Sequence, residues 1–293
     1  MTMDKLEIKN LNRNFKFGKQ KVLKNINVSF LSNKIYGLFG ENGAGKSTLM
    51  SIIADYNFPT SGEVLLDGEN VHDNDNALSK IYYMNQNNMY PKNEKIKKIF
   101  KLTKAIYKDY DSQLQEKLVN EFKLNIKLRF DKLSTGYKSI VKIIIALCVP
   151  CKFVILDEPT LGLDARNRDI FYRELIESYS ANPRTFIIST HIIEEIDKLV
   201  SDVVMIDNGK IVLNDTADNI RSKAYSVNGP IDLVSDYTKD LSVIGKEELG
   251  QYVTIDVMGS LPNKEVPSGV KITKIELQKL IVNLMNKDGA NDN

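Results

Sequence analysis

Hydrophobic and polar residues alternate with a period of two in the N-terminal part of the chain, which is typical of half-buried β-strands. The alternation covers Glu7–Leu11 and Lys24–Phe30, and a short apolar strand at Ile35–Phe39 runs directly into Gly40. A helix is predicted over Lys46–Ala54. Further strands, separated by turn residues, are predicted at Glu63–Leu66 and Ile81–Met84.

The pattern changes to helical spacing with many lysines between Glu94 and Leu147. After it, buried strands alternate again with helices, so the sequence predicts an α/β core that carries a helical insertion. The elements predicted in this second stretch are strands Phe153–Leu156 and Thr185–Ser189, helices Ala165–Tyr179 and Ile192–Val200, and a hairpin of Val203–Ile206 with Lys210–Leu213.

Two domains are predicted. The first covers residues 1–222, with a helical subdomain at about 88–150, and the second covers residues 223–293. The second domain has its own turns, a strand-like segment at Gln251–Val257 and an amphipathic helix at Ile275–Met285, so we expect a small α+β appendage. Its last residues, 287–293, are polar, and we expect them to be disordered.

Composition excludes some classes of function. The 293 residues include 40 basic and 38 acidic side chains, for a net charge of +2, so no nucleic-acid partner is expected. The N-terminus lacks the apolar stretch of a signal peptide. The longest apolar run, Ile140–Leu156, is interrupted by Lys142, Pro150 and Lys152. It therefore cannot span a membrane, and any spanning would fall to another chain.

Two cysteines have the spacing of a thiol redox motif, Cys148-Val149-Pro150-Cys151. A working pair sits where a strand gives way to a helix, whereas here a helical segment ends at the pair and a strand follows. The interpretation as two small apolar residues is therefore favoured over a redox function.

A glycine-rich segment between a predicted strand and a predicted helix fits the phosphate-loop pattern in full. Its backbone N–H groups and the N-terminus of the following helix can bind phosphate oxygens. Lys46 can reach the β- and γ-phosphates of ATP, and the Ser47 hydroxyl can bind Mg²⁺. The segment, named the phosphate loop below, consists of Gly40, Glu41, Asn42, Gly43, Ala44, Gly45, Lys46, Ser47 and Thr48.

A second buried strand, Phe153–Leu156, ends in the two acids Asp157 and Glu158. Beside a phosphate loop, this arrangement predicts that Asp157 holds the Mg²⁺ shell and that Glu158 orients and deprotonates the attacking water. The alternative, a strand end capped by solvated acids, is less favoured in this context.

Four further features stand in order along the chain: Gln86 after a strand, a signature segment before the acidic strand, Leu161–Asp164 after Glu158, and His191 after a strand. With the phosphate loop and the acids, they make residues 3–222 resemble the ATP-binding subunit of ABC transporters. The signature segment consists of Leu133, Ser134, Thr135, Gly136 and Tyr137.

The resemblance implies an α/β P-loop NTPase of the ABC ATPase type, with a RecA-like core, an antiparallel β subdomain and a helical subdomain. It implies that Glu158, His191 and Gln86 are catalytic, and that Ser47, Gln86 and Asp157 bind Mg²⁺. Asp164 would belong to the family's D-loop. Phe17 would stack on adenine, although Phe15 is also available for that contact.

The signature segment departs from the common Leu-Ser-Gly-Gly-Gln form, because Thr135 replaces the first glycine and Tyr137 replaces the glutamine. Ser134 and Gly136 remain. Since Ser134 is a good helix N-cap, the helix that it starts can still point its positive end at an anion. In the family, that anion is the γ-phosphate bound by a facing subunit.

The resemblance also implies the partners. These are a second ATP-binding subunit, either another copy or a related chain, and a membrane-spanning permease that places the protein peripherally at the cytoplasmic face of the membrane. ATP-dependent dimerisation would drive export of a peptide, drug or lipid-like substrate. The C-terminal helix resembles that of ABC-2 type exporter ATPases, and the chain also resembles the ATPases that export phenol-soluble modulin peptide toxins. The alternative is a soluble ABC-type ATPase that is not coupled to transport.

A basic stripe occurs in the helical insertion, where four lysines recur at helical spacing. It could meet anionic headgroups or acidic loops, but a solvated helix face is the favoured interpretation. The stripe consists of Lys97, Lys101, Lys104 and Lys108.

Overall fold

The computed structural model describes residues 4–289 with the exception of 16, 17, 19, 88, 89, 92 and 263. The chain divides into two compact units. The first unit comprises residues 1–200 and 204–213, and the second comprises residues 201–203 and 214–293. The predicted domain boundary after Ser222 stays a prediction.

An antiparallel sheet forms the N-terminal part of the first unit, with strand order β2-β1-β4-β5. Its alternating strands turn one face inward, where Leu6, Ile8 and Phe30 are fully or almost fully buried. The strands are β1 (Lys5–Phe15), β2 (Gln20–Leu31), β4 (Ser61–Leu66) and β5 (Glu69–Asn70).

A second sheet has the order β10-β9-β3-β8-β7-β6, and its pairs β3–β8, β8–β7 and β7–β6 are parallel. The inner strands are apolar at almost every position because helices cover both faces of such a sheet. The strands are β3 (Ile35–Phe39), β6 (Ile81–Met84), β7 (Phe153–Asp157), β8 (Thr185–Ser189), β9 (Asp202–Asp207) and β10 (Lys210–Thr216).

The segment between β6 and β7 is helical, as the sequence predicts. Its last helix carries the apolar run that begins at Ile140, and it is buried from Ser139 to Cys148. The helices of the first unit are α1 (Lys46–Ile53), α2 (Asp75–Leu78), α3 (Ile96–Ile106), α4 (Ser112–Glu121), a 3-10 turn at Phe130–Lys132, α5 (Thr135–Cys148), α6 (Ala165–Ala181) and α7 (Ile193–Ile196).

The second unit contains an antiparallel sheet of order β12-β13-β11-β14. Val227, Val253 and Ile255 project from one face and form a small core with Val234 and Tyr237. Its elements are α8 (Ala217–Ser222), β11 (Ala224–Pro230), α9 (Ile231–Thr238), β12 (Ser242–Leu249), β13 (Tyr252–Met258), β14 (Lys271–Lys274) and α10 (Leu277–Gly289).

Predicted elements are confirmed in type along the first unit, and their ends differ by a few residues. The largest differences at one end are four residues: β1 extends to Phe15, β2 begins at Gln20, and α7 ends at Ile196 although the apolar spacing predicts a helix to Val200. In the second unit the sequence missed α9 and three of four strands. Their apolar residues are sparse and are interleaved with polar residues that face solvent, so neither periodicity stands out.

Candidate functional site

The phosphate loop follows β3 and ends in α1. Gly45 is the N-cap of α1 and has a φ of 112°. This left-handed conformation strains any residue with a side chain, and a Cβ there would lie 2.7 Å from Leu23 Cδ2. The glycine therefore fixes the turn at which the free N–H groups of α1 face outward, as anion binding requires.

Lys46 folds back over the loop that precedes it. Its Nζ donates hydrogen bonds to the carbonyl oxygens of Gly40 at 2.6 Å and Glu41 at 2.9 Å. Burial lowers the pKa of Lys46, while the nearby carboxylates of Glu158, Asp157 and Glu41 oppose that shift. An ammonium with carbonyl partners can exchange them for phosphate oxygens at little cost in hydrogen bonds.

Asp157 ends β7 and is only 3% exposed. Ser189 Oγ donates to its Oδ1 at 2.8 Å, and the Tyr83 hydroxyl donates to its Oδ2 at 3.3 Å. The pKa of Tyr83 is raised mainly by burial and further by the neighbouring Asp157 carboxylate, so the phenol stays protonated and remains a donor. Both donors are neutral, so the hydrogen bonds orient the carboxylate without neutralising it.

Glu158 and His191 form the second pair at this edge of the sheet. His191 Nδ1 lies 2.7 Å from Glu158 Oε2. Glu158 has a φ of 51°, in the left-handed region that residues with a side chain rarely adopt. Its backbone N–H donates to the Ser189 carbonyl at 3.1 Å, which stabilises this conformation and directs the side chain toward His191.

Lys46, Asp157 and Glu158 meet around one cavity of about 320 Å³, and His191 is connected to it through its contact with Glu158. The cavity brings together residues that lie far apart in the sequence, including the predicted Gln86, Asp157 and Glu158. Its lining is Phe15, Gln20, Val22, Asn42, Gly43, Gly45, Lys46, Ser47, Thr48, Gln86, Asp157 and Glu158. Phe15 is therefore placed where an adenine ring could be stacked, whereas Phe17 lies outside the described residues.

The signature segment does not line this cavity within one chain. Ser134 Oγ accepts a hydrogen bond from Tyr137 N at 3.3 Å, which confirms Ser134 as the N-cap of α5. Gly136 is buried, and a Cβ on it would lie 2.3 Å from the Gly162 carbonyl oxygen. Thr135 and Tyr137 are exposed, so their substitutions leave the packing of Gly136 intact.

The segment after Glu158 packs against the same helix. Ser139 Oγ on α5 donates to the Leu161 carbonyl at 2.9 Å. Asp164 Oδ1 accepts from Asn167 N at 2.8 Å and so caps α6. Leu133, the first residue of the signature segment, is buried. The predicted residues thus form two separate surfaces of the first unit, the cavity and the exposed start of α5.

The donor atoms at the cavity suit Mg²⁺, because it prefers hard oxygen ligands and keeps several waters. The predicted ligands Ser47, Gln86 and Asp157 all line the cavity, and they offer a hydroxyl, an amide oxygen and a carboxylate. Among the described residues, no group of three or more His, Cys, Asp or Glu side chains could hold a metal by itself. A bound phosphate would therefore complete the shell.

Cys148 and Cys151 are both buried and unpaired. Burial raises the pKa of each thiol to about 12, so neither provides a thiolate at neutral pH. This environment agrees with the interpretation as small apolar residues.

Sequence reasoning missed the residues that orient the acids. Ser189 ends β8 next to β7, and Tyr83 lies on β6 on the other side. Sheet order could have indicated them, because side chains at the carboxyl ends of neighbouring parallel strands lie close together. Gln20 and Val22 were also missed, since they reach the cavity from a different sheet.

Comparison with known proteins identifies the family. Residues 23–161 match the family model described as ABC transporter. The chain is 35% identical over 210 residues to the lantibiotic transport ATP-binding protein SrtF of Streptococcus pyogenes, covering 71% of this chain and 89% of SrtF. It is 25% identical over 190 residues to the ABC transporter ATP-binding protein YtrB of Bacillus subtilis, and this match spans 65% of each protein.

Solved structures share the fold. An ATP-binding subunit of an ABC transporter superimposes with a TM-score of 0.65 at 24% identity, covering 75% of this chain and 92% of that one. A dimeric ATP-binding cassette bound to ADP and Pi superimposes with a TM-score of 0.63 at 22% identity, covering 72% and 98%. The predicted α/β P-loop fold of the ABC ATPase type is thereby confirmed.

One further finding concerns the membrane. In the part of the chain that the structure describes, no helix combines the length and the apolar character needed to cross a bilayer.

The site, the fold and the family match agree, and the chain belongs to the ATP-binding proteins of ABC transporters and is an ATPase.

Proposed function

We propose that this chain binds Mg-ATP at the phosphate loop and hydrolyses it to drive export through a separate membrane-spanning subunit. The observation that carries the proposal is the cavity where Lys46, Gln86, Asp157 and Glu158 meet, with His191 2.7 Å from Glu158 at its edge. This set contains a phosphate-binding ammonium, oxygen ligands for a cation and a carboxylate held by a histidine.

Each residue has a role that its surroundings support. Lys46 would leave the carbonyls of its own loop for the β- and γ-phosphates, and Ser47, Gln86 and Asp157 would hold Mg²⁺. Glu158 would accept a proton from the attacking water, while His191 fixes the Glu158 carboxylate and contacts the γ-phosphate. Phe15 or Phe17 would stack on the adenine.

Two subunits would be needed for a complete site. The chain has one phosphate loop and one signature segment, and the signature segment does not line the cavity of its own chain. Ser134 is exposed at the positive end of α5, where a helix N-terminus favours an anion. The signature segment of a facing subunit, from Leu133 to Tyr137, would therefore close over the γ-phosphate.

The Glu158→Gln variant tests hydrolysis and dimerisation together. It should bind Mg-ATP normally, because the phosphate loop is unchanged, but hydrolyse it at least about 100-fold more slowly, because the base is lost. With hydrolysis blocked, the dimer should persist in size-exclusion chromatography with light scattering. Glu63→Gln is the matched control, since Glu63 is exposed and does not line the cavity.

Either of two results would contradict this part of the proposal. One is a Glu158→Gln variant that hydrolyses ATP as fast as the Glu63→Gln control. The other is a Glu158→Gln variant that stays monomeric at saturating Mg-ATP with its membrane partner present.

For the transported substrate we propose a peptide. The support is the 35% identity to SrtF, whose name describes lantibiotic transport. The chain would then act at the cytoplasmic face of the membrane, attached through the permease, with a second copy or a related ATPase beside it.

Co-purification from detergent-solubilised membranes tests the partner. A tagged chain should retain a multi-span membrane protein, and the reconstituted complex should show ATPase activity that rises with an amphipathic peptide. If a drug-like or lipid-like compound stimulates the ATPase activity and the peptide does not, the substrate belongs to that class and is not a peptide. An active ATPase that retains no membrane protein would favour a function outside transport.

A further inference from the structure

A lysine lies within the buried apolar stretch of helix α5, which runs from Ile140 to Cys148. Lys142 is 7% exposed, and its neighbours Val141 and Ile143 are fully buried. Burial lowers the pKa of Lys142 to about 8. Burying an ammonium is costly unless every N–H finds an acceptor, so the side chain needs a dedicated set of partners.

Those partners are three consecutive carbonyl oxygens. Lys142 Nζ donates to the carbonyls of Asn85, Gln86 and Asn87, each at 3.0 Å. An ammonium has three donors, and three acceptors use all of them. The segment Asn85–Asn87, named the glutamine loop below, therefore curves around the ammonium from one residue to the next.

The glutamine loop bears directly on the nucleotide cavity. The Gln86 side chain is exposed and lines the cavity beside Ser47 and Asp157. The glutamine loop follows β6, which ends at Met84, and it lies outside the regular helices and strands of the described chain. The hydrogen bonds from Lys142 thus hold a backbone that regular secondary structure does not hold.

Helix α5 also contacts the segment that follows Glu158, through Ser139 Oγ and the Leu161 carbonyl at 2.9 Å. The N-cap of α5 is Ser134, an exposed residue of the signature segment. One rigid helix therefore carries the signature segment at its start and holds the glutamine loop two turns later.

We propose that Lys142 is a positioning residue that fixes the glutamine loop so that Gln86 reaches the metal and the attacking water. The inference rests on the proposed role of Gln86 in hydrolysis. Lys142 touches no reacting atom and acts only through the loop backbone. Loss of the Lys142 ammonium should leave ATP binding intact. The three hydrogen bonds that it donates go only to the glutamine loop, and none of them goes to the phosphate loop.

Lys142→Met tests the inference in the full chain within its transporter complex. Methionine keeps the apolar stem but removes all three donors, so the glutamine loop should be released. We expect kcat for ATP hydrolysis to fall about 10- to 100-fold, as a small misplacement of a positioned group does. The dissociation constant for a fluorescent ATP analogue should stay within about twofold.

Lys138→Met is the matched control, because it removes the same charge one turn earlier on the same helix from a half-exposed position. Amide hydrogen exchange adds a readout that a purely structural role would not produce. In Lys142→Met, exchange should rise in peptides covering Asn85–Asn87 and stay unchanged in peptides covering Ser139–Cys148.

Chemical rescue provides a second line. Lys142 lines a cavity of about 190 Å³, so Lys142→Ala should admit a small alkylammonium ion. Ethylammonium should restore kcat in a saturable way, and tetramethylammonium, which has no N–H donor, should not. If the methionine and alanine variants do not fold, Lys142→Gln takes their place, with two amide donors and an intermediate kcat expected.

Three results would overturn the inference. They are a Lys142→Met kcat equal to that of Lys138→Met, exchange that rises equally along α5, and rescue by tetramethylammonium as well as by ethylammonium. Failure of the proposed function looks different, since Glu158→Gln would then hydrolyse ATP as fast as the Glu63→Gln control. The exchange measurement reports on the loop in either case.

Discussion

Asp157 in the first unit and Asp256 in the second are both almost completely buried, at 3% and 1% exposure. Asp157 receives hydrogen bonds from the neutral hydroxyls of Ser189 and Tyr83. Asp256 instead pairs with Lys279 Nζ at 2.9 Å and accepts from Asn283 Nδ2 at 2.7 Å and from the Ser226 hydroxyl.

The difference separates a functional carboxylate from a structural one. Asp256 has its charge balanced inside its own unit, so nothing is left for an external ligand. Asp157 is oriented but not neutralised by its partners, so its charge remains available for a cation. Burial is similar in the two cases, and the direct hydrogen-bond and ion-pair partners distinguish them: the Lys46 ammonium lies near Asp157 but donates to the carbonyls of its own loop.

The largest expected effect comes from Asp157→Asn. Removing the charge should lower the ATPase rate at least about 100-fold, because a metal contact contributes several kcal/mol in the transition state. The stability of the first unit should change by less than about 1 kcal/mol, since asparagine can still accept from Ser189. Steady-state ATPase assays and thermal unfolding measure the two quantities.

If Asp157→Asn kept its ATPase activity and lost stability, Asp157 would be a structural carboxylate and not a functional one. Addition of Mg²⁺ should increase the affinity for the fluorescent ATP analogue less in this variant than in the unaltered chain. This metal-dependent difference separates the loss of a cation ligand from general damage to the cavity.

Asp256→Asn should produce the opposite result. Lys279 would lose the nearer of its two carboxylates and keep Glu247 at 3.5 Å, and the second unit should become less stable by about 2 kcal/mol, the range for hydrogen bonds to charged groups. The ATPase rate should not change. Hydrogen exchange of β13 peptides under increasing urea reports the local stability. Asp218→Asn is the control, because the Asp218 side chain is 97% exposed.

A loss of ATPase activity in Asp256→Asn that exceeds the loss in Asp218→Asn would show that this aspartate is more than structural. The interpretation of Asp256 as a purely structural carboxylate would then be wrong.

Tyr83→Phe should have the smallest effect of the three. It removes the 3.3 Å hydrogen bond to Asp157 and leaves the ring in place. One neutral hydrogen bond contributes about 0.5–1.5 kcal/mol, so kcat should fall roughly two- to tenfold with a higher Mg²⁺ requirement. A magnesium titration of ATPase activity measures both changes.

Tyr56→Phe serves as the control for Tyr83→Phe. Tyr56 packs edge-on against Tyr83, with ring centroids 5.6 Å apart, but it has no hydrogen bond to Asp157 in the described structure. Equal magnesium titrations of the two variants would mean that the Tyr83 hydroxyl does not orient Asp157.

The first unit was predictable because its signals are local. The phosphate loop requires glycines between a strand and a helix, and the acidic strand requires an apolar run before two acids. Each pattern occupies only about ten consecutive residues, so it can be recognised in the sequence. The second unit has no such motif. Its small core draws a few residues from each of several elements, such as Val227 from β11, Val234 from α9 and Val253 from β13, and sequence patterns detect these poorly.

The partners of the site residues were not predictable in the same way. Ser189 and Tyr83 are ordinary residues in sequence, and they acquire a role only because β8 and β6 flank β7. In the sequence, Lys142 only interrupts an apolar run. Its three carbonyl acceptors lie 55 to 57 positions earlier in the chain, so no local pattern indicates them.

By itself, the sequence determined the family and the α/β class, and it indicated the residues that are proposed to bind ATP, since all of these depend on residue types at fixed local spacing. Tertiary structure decided which groups orient those residues: the hydroxyls on Asp157, His191 on Glu158 and the ammonium of Lys142 beneath Gln86. The physical reason is that a hydrogen bond depends on distance and direction between atoms, and strand order and helix packing, not separation along the chain, set both.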